Sequence, residues 1–264
     1  MKVLTWNTAF ARGTSAAVAL ADRVGADVVL LQEAQPTGVW PGPLIGAAVP
    51  RRPWGSWVLV RTGVLHEIAL AHYAGWVAGA QWRRTDADGP TYVFSIHSPT
   101  PNAHERRGGY VAEAVKIVAA ICEHVPATGR LVIGGDFNLK SLGERLASEP
   151  IRVDTAERRA LHAFRTRGLS IAWRDVHPRR ALPQTLRWSG APTTPFHCDG
   201  FLTRGFPTAA MGCDIICSEG ETRVSDHNPV VLQLPVTPAV QHVCSADDGR
   251  CDDAPRRLKR RRLA

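Results

Sequence analysis

The chain has 264 residues, 44% hydrophobic and 21% charged, a balance that fits one large or two small globular domains. No apolar run reaches the roughly 18 residues of a membrane span, and "MKVLTWNTAF" lacks the apolar core and small-residue cleavage site of a secretory signal. The formal charge of +8 favours an acidic partner such as nucleic acid, although six cations lie in the final "RRLKRRRLA" and arginine outnumbers lysine 28 to 4.

Apolar runs of strand length recur at residues 3–6, 28–31, 57–60, 92–96, 131–133, 214–217 and 230–234. Between the first two, "TSAAVALADRVG" (14–25) has a Thr/Ser start, helical periodicity and a terminal glycine. "AHERRGGYVAEAVKIVAAICEH" (103–124) is strongly periodic after its glycines and also separates two apolar strands. "DTAERRALHAFRTRG" (154–168) opens on a capping Asp and closes on glycine. The first two helices give βαβ order, which predicts a mixed α/β protein with helices covering sheets. Residues 1–239 read as one domain. Residues 240–264 read as a flexible tail, acidic and then basic, either solvated or touching phosphates. The expected compartment is the cytoplasm and the expected state a monomer. There the six cysteines would be thiols, and a Cys244–Cys251 bridge would need oxidising conditions.

The apolar runs abut polar residues. "KVLTWN" ends in Asn7, "DVVLLQE" in Glu33, "TYVFSIHSP" in His97, and "RLVIGGDFN" in Asp136 and Asn138. "PFHCDGFL" holds Asp199, and "VSDHNPVVLQL" places Asp226 and His227 just before the last run. Singly, each is ordinary: a Glu or Asn after a strand is usually turn chemistry, and "SDH" is usually a cap. Asp199 is harder to dismiss, because an unpaired buried carboxylate is expensive.

Taken together and in order, "TWN", "LLQE", "SIHSPT", "GGDFN", "CDGFL" and "SDHNPV" resemble the endonuclease/exonuclease/phosphatase superfamily. That group spans DNase I-like nucleases, exonuclease III-like repair nucleases, neutral sphingomyelinases and inositol polyphosphate 5-phosphatases. The matching pieces cover nearly the whole chain. The resemblance implies a four-layer α/β/β/α sandwich of two mixed sheets flanked by helices, with residues 1–239 as the catalytic domain. It further implies a phosphodiester hydrolase that uses Mg²⁺ or Mn²⁺, one or two ions, because carboxylate and amide oxygens suit hard cations. Glu33 would be the first metal ligand, with Asn7 and Asp226 near it. Asp136 would position or deprotonate the attacking water, and Asn138 would donate to a phosphate oxygen. His227 would act as base or electrostatic stabiliser, Asp199 would orient a histidine, and His97 would bind phosphate or protonate the leaving group.

The substrate signal is thinner. A His in "SIHSP" looks closer to the DNase I-like and sphingomyelinase-like branches, and exonuclease III-like enzymes often carry an acid where this chain has Ala9. Conversely, "GLSIAWRDVHPRRALPQTLRWSG" (168–190) resembles a repair-nuclease stretch, and its Trp188 would stack on a base or sugar. Gly200 and Leu139 depart from the inositol phosphatase pattern. The apolar, Pro-rich segment 38–57 is either a membrane-contacting hairpin or a loop packed on the sheet edge. Four Arg-Arg pairs (51–52, 83–84, 106–107, 179–180) would follow a nucleic-acid backbone if they face the site, Arg106 and Arg107 foremost. The favoured expectation is a nuclease whose partner is DNA, or RNA. The alternatives are a lipid or small-molecule phosphodiesterase or phosphatase, and an inactive nucleic-acid-binding member.

Overall fold

The computed structural model describes residues 1–84, 89–99, 109–149, 152–191 and 193–235. The predicted tail, Cys244, Cys251, Arg106 and Arg107 lie outside these residues. In chain order the elements are β1 (Lys2–Asn7), α1 (Thr14–Val24), β2 (Val28–Ala34), β3 (Leu44–Ala48), β4 (Gly55–Val60), β5 (Val64–Glu67), β6 (Val77–Arg83), β7 (Thr91–His97), α2 (Gly109–His124), β8 (Arg130–Asp136), α3 (Thr155–Thr166), β9 (Ser170–Ile171), α4 (Ala172–Val176), β10 (Asp199–Arg204), β11 (Gly212–Ile215), α5 (Glu219–Val224) and β12 (Val230–Gln233).

The strands form two six-stranded sheets, ordered β11-β12-β1-β2-β4-β3 and β5-β6-β7-β8-β10-β9. Each contains one parallel pair, β1 with β2 and β7 with β8, joined through α1 and α2 as the βαβ reading requires. The other pairings are antiparallel, so both sheets are mixed.

Alternation along each central strand builds the layers. Leu4, Trp6, Val29 and Leu31 pack with Ala17, Leu20 and Ala21 of α1 on the outer face of the first sheet. Val3, Val28 and Leu30 point the other way and meet Val93, Val132 and Phe201 between the sheets. Phe94, Ile96, Leu131 and Ile133 face α2 and α3 through Ala114, Ile117, Ile121, Leu161 and Phe164. The result is an α/β/β/α sandwich. Strands buried on both faces read as unbroken apolar runs, and each fully buried Val, Leu or Ile contributes about 1.5–3 kcal/mol. A one-residue slip of β1 would exchange its two faces, which fixes its register.

Helix ends follow local rules only in part. In α3, Asp154 accepts from the Glu157 amide at 2.8 Å, as its capping position predicts. In α1 the N-cap position is Gly13, without a side-chain cap, and Thr14 instead accepts from the Gln35 amide. The strand expected at 214–217 begins two residues earlier. The segment 38–57 contributes β3 to a sheet edge. Its Trp40, Val49, Trp54 and Trp57 are buried, leaving Val39 as its exposed large hydrophobic residue.

Candidate active site

The two glycines of "GGDFN" show how β8 delivers Asp136. A Cβ on Gly134 would sit 2.6 Å from the Phe201 ring and 2.8 Å from Leu30. At Gly135, φ is +151° and a Cβ would fall 1.9 Å from the Ile96 carbonyl oxygen. The neighbouring strands thus close on β8 at the point where it releases its acid. Asp136 pairs in register with His97 on one side and with Asp199 on the other, so three adjacent strand ends present an imidazole and two carboxylates in a row.

The first sheet brings the other half. Asn7 ends β1 and donates from Nδ2 to Asp136 Oδ2 at 3.1 Å, while its Oδ1 accepts from the Ala9 amide at 3.1 Å. Glu33 lies at an irregularity in the β2–β4 pairing, with φ of +51°. Its Oε2 accepts from the Phe10 amide at 2.8 Å and its Oε1 stands 3.8 Å from His97 Nε2. Asn138, also left-handed at φ +52°, donates its amide to Asp136 Oδ1 at 2.9 Å and a side-chain N–H to the Ser98 carbonyl at 2.8 Å. Its second Nδ2 hydrogen faces no protein acceptor among these contacts.

His227 closes the group. Its Nδ1 lies 3.0 and 2.9 Å from the two Asp199 oxygens, and its Nε2 lies 3.8 Å from Asp136 Oδ2. The loop that carries it is tied to β1: Trp6 Nε1 donates to the His227 carbonyl at 2.9 Å, and Ser225 Oγ donates to the Asn7 carbonyl at 2.7 Å. Ser225 Oγ also accepts from the His227 amide, and Thr185 Oγ1 accepts from the amides of Cys198 and Asp199. Ser225 and Thr185 are the supporting residues that sequence reasoning missed. Ser225 was visible as the first letter of "SDH", whereas Thr185 carries no local signal.

The electrostatics divide the two imidazoles. Burial works against a charged His227 ring, but the carboxylates of Asp199 and Asp136 outweigh it and push the group up to about 10. Burial dominates at His97 and holds it below its ordinary value, against the pull of Asp136 and Glu33. Burial likewise raises Asp199 to about 6, with His227 pulling it back down. Three buried carboxylates therefore face one imidazolium. Among the described residues no Lys or Arg forms an ion pair with Glu33, Asp136 or Asp199. Asp136, Asp199 and His227 offer ligand atoms within 4.8 Å of one another. Glu33 Oε1 and Asp136 Oδ2 each stand 3.8 Å from His97 Nε2, and Asn7 touches Asp136, so hard oxygen donors from both sheets converge beside this cluster. This donor set and its surplus negative charge fit a divalent cation.

The remaining expected residues lie further out. Asp226 is exposed beside His227, and its carbonyl accepts from the Arg187 amide. Trp188 is 52% exposed, stands edge-on to Phe196, and follows Leu186, which bridges to His227. Arg84 is 4.0 Å from Asp27, at the opposite end of β2 from Glu33, so the Arg83–Arg84 pair sits away from the site. Arg52 lies over Trp54, on the site's side of the molecule.

The sequence profile of the Endonuclease/Exonuclease/phosphatase family matches residues 4–227. No curated protein sequence matches the chain. Among solved structures, it is similar to a 3′ phosphatase, NExo, from Neisseria bound to product DNA hairpin, at TM-score 0.66 and 18% identity, covering 89% of this chain and 99% of that one. It is similar to an AP endonuclease from Archaeoglobus fulgidus at TM-score 0.66 and 13% identity, with 89% and 100% covered. It is also similar to the endonuclease domain of TRAS1, a telomere-specific non-LTR retrotransposon, at TM-score 0.63 and 15% identity, with 89% and 98% covered. With the profile spanning most of the chain and the sandwich shared with these proteins, the chain belongs to the endonuclease/exonuclease/phosphatase family.

Proposed function

We propose that the protein is a divalent-metal-dependent nuclease that cuts a phosphodiester of DNA, or of RNA, by in-line attack of an activated water. One observation carries this reading: Asp136 lies 3.8 Å from the free nitrogens of two imidazoles and is held at both oxygens by Asn7 and Asn138. A carboxylate fixed in that way aligns a water and takes its proton. His227 Nε2 donates to a phosphate oxygen, with Asp199 on Nδ1 holding the ring in place. The spare N–H of Asn138 donates to a second phosphate oxygen. His97, between Glu33 and Asp136, contacts the phosphate or returns a proton to the leaving oxygen; such help is typically worth about 10²–10⁴ in rate.

Mg²⁺ or Mn²⁺ held by Glu33 and Asn7 would supply neutralisation of phosphate charge and polarisation of the phosphorus centre, while Asp226, exposed beside His227, lies further from these donors. Trp188 would stack on a base or sugar at the rim, and Arg106 and Arg107 would meet the backbone. DNA is favoured because structural relatives include a phosphatase solved with a DNA hairpin, an AP endonuclease and a retrotransposon endonuclease. A lipid substrate would call for exposed apolar residues in segment 38–57, whose tryptophans are buried.

The full chain with Mg²⁺ or Mn²⁺ is offered supercoiled plasmid, abasic duplex, RNA and sphingomyelin, with and without EDTA. Cleavage of a nucleic acid that EDTA stops is the expected result. Hydrolysis of sphingomyelin with every nucleic acid intact would overturn the proposal.

A further inference from the structure

Phe10 is the most exposed of the large hydrophobic side chains among the described residues, at 57%. It is also strained. Ala9, Phe10 and Ala11 have successive φ values of +50°, +60° and +68°, a left-handed run that L side chains rarely adopt. The backbone has a reason for this path. The Ala9 amide donates to Asn7 Oδ1, the Phe10 amide to Glu33 Oε2, and the Ala11 amide to the Glu33 carbonyl, so the loop wraps the end of β2. That explains the conformation but not the side chain. Glycine would serve the same backbone with less strain, and a polar residue would suit the solvent.

The surroundings suggest what the ring does. The Phe10 amide is 2.8 Å from a Glu33 oxygen, which places its Cα within about 4.5 Å of that carboxylate. The ring lies 5.8 Å from that of Trp54, which in turn is 6.1 Å from His97 and 5.9 Å from Trp76. Trp54 is buried and Trp76 half-buried, so the pocket has one aromatic wall that runs out from His97 and ends at a solvent-facing ring. At the same rim the Arg52 guanidinium stands 5.5 Å over Trp54, with its side chain exposed. A free aromatic face next to a phosphate site, with a guanidinium beside it, matches one nucleotide step: a flat ring to stack and a second phosphate to pair.

The geometry points to Phe10 as the stacking platform for an unpaired nucleobase on the nucleotide flanking the scissile phosphate, with Arg52 on the next phosphate. This rests on the nuclease reading above. A base inside a duplex is already stacked on its neighbours, so the platform favours unpaired nucleotides, whether in single strands, at frayed ends or in the locally opened stretches of supercoiled DNA.

The test uses the full chain and short single-stranded oligonucleotides with one unmodified phosphodiester among phosphorothioates. Each nucleotide flanking that bond carries, in turn, a base or a tetrahydrofuran spacer. At one flanking position the wild type favours the base-bearing substrate by about 5- to 150-fold in kcat/KM, the range that stacking on an aromatic spans, expressed mainly in KM. Phe10→Gly, which suits the left-handed backbone, and Phe10→Leu, which keeps apolar bulk without a flat face, lower that ratio towards one. Phe10→Trp restores it. Cleavage without base preference at any flanking position, or a wild-type ratio in the Gly and Leu variants, overturns the assignment while leaving the nuclease reading intact. A wild type that cuts none of the oligonucleotides with either metal but still nicks plasmid overturns the platform alone, and one that cuts neither overturns both.

Discussion

Replacing Asp199 with Asn tests the central acid–imidazole pair by its dependence on pH. The substitution keeps the shape of the side chain and an oxygen near His227 Nδ1 but removes the charge that lies 2.9 and 3.0 Å from it. A group whose folded pKa is raised stabilises the fold fully below its unfolded value and loses that contribution as pH rises through the folded value. With His227 near 10 in the folded protein and 6.5 unfolded, its contribution is about 4 kcal/mol at pH 7 and about 1 kcal/mol at pH 9, offset at both by the cost of burying the Asp199 carboxylate, which burial raises to about 6. Asp199 is the largest of the raising influences, so Asp199→Asn is expected to forfeit most of this. Neutralising one partner of a buried pair by mutation typically costs about 3–5 kcal/mol, which agrees with the pH 7 figure. Urea unfolding followed by circular dichroism at pH 7 and pH 9 reads both values. The destabilisation at pH 7 is expected to exceed that at pH 9 by about 2–3 kcal/mol, a difference to which the Asp199 carboxylate, ionised at both, adds little. An equal loss at the two pH values would refute the reasoning, because it would mean that His227 carries no proton that depends on Asp199.

Two further outcomes follow from the same physics. His197 is buried, with Nδ1 on the Pro183 carbonyl at 2.7 Å, and burial, reinforced by Arg145 and Arg174, lowers it to about 4. A depressed histidine disfavours protonation in the fold, so its stabilisation is lost as pH falls from 6.5 towards 4; unfolding at pH 7 and pH 5 should differ by about 2 kcal/mol on this account, and His197→Gln should reduce that difference. Gly135→Ala places a methyl 1.9 Å from a backbone oxygen, so a loss above about 4 kcal/mol, seen as insoluble or unfolded protein, is expected; a soluble variant with near wild-type melting would contradict the stated close approach.

Much of this fold was legible because its central strands are buried on both faces. Residues 28–31 and 131–133 announce themselves as unbroken apolar runs, and βαβ order follows from the helices between such runs. β6 escaped for the opposite reason. Its "VAGAQWR" is built from small residues, and a Cβ on Gly79 would strike the Phe94 ring at 2.2 Å, so its composition answers a neighbour on another strand. β3 is an edge strand whose apolar stretch resembles a loop as much as a strand. At the site, residues of unusual chemistry at strand ends could be read from order and spacing: Asn7, Glu33, His97, Asp136, Asn138, Asp199 and His227 meet through direct contacts. Thr185 could not, since its role is to accept two backbone amides from a distant strand. Phe10 could not either, because nothing in "NTAFARG" tells that the ring faces solvent beside Glu33.

The most direct test is a plasmid cleavage assay comparing the wild-type chain with Asp136→Asn and Glu33→Gln, each confirmed as folded by circular dichroism, with Mg²⁺ or Mn²⁺ and then with excess EDTA. The wild type is predicted to convert supercoiled DNA to nicked or linear product only without chelator, and both variants to lose at least about 10²-fold in rate. Folded variants that cut at the wild-type rate, or wild-type cleavage indifferent to EDTA, would contradict the metal-assisted hydrolysis proposed for this site.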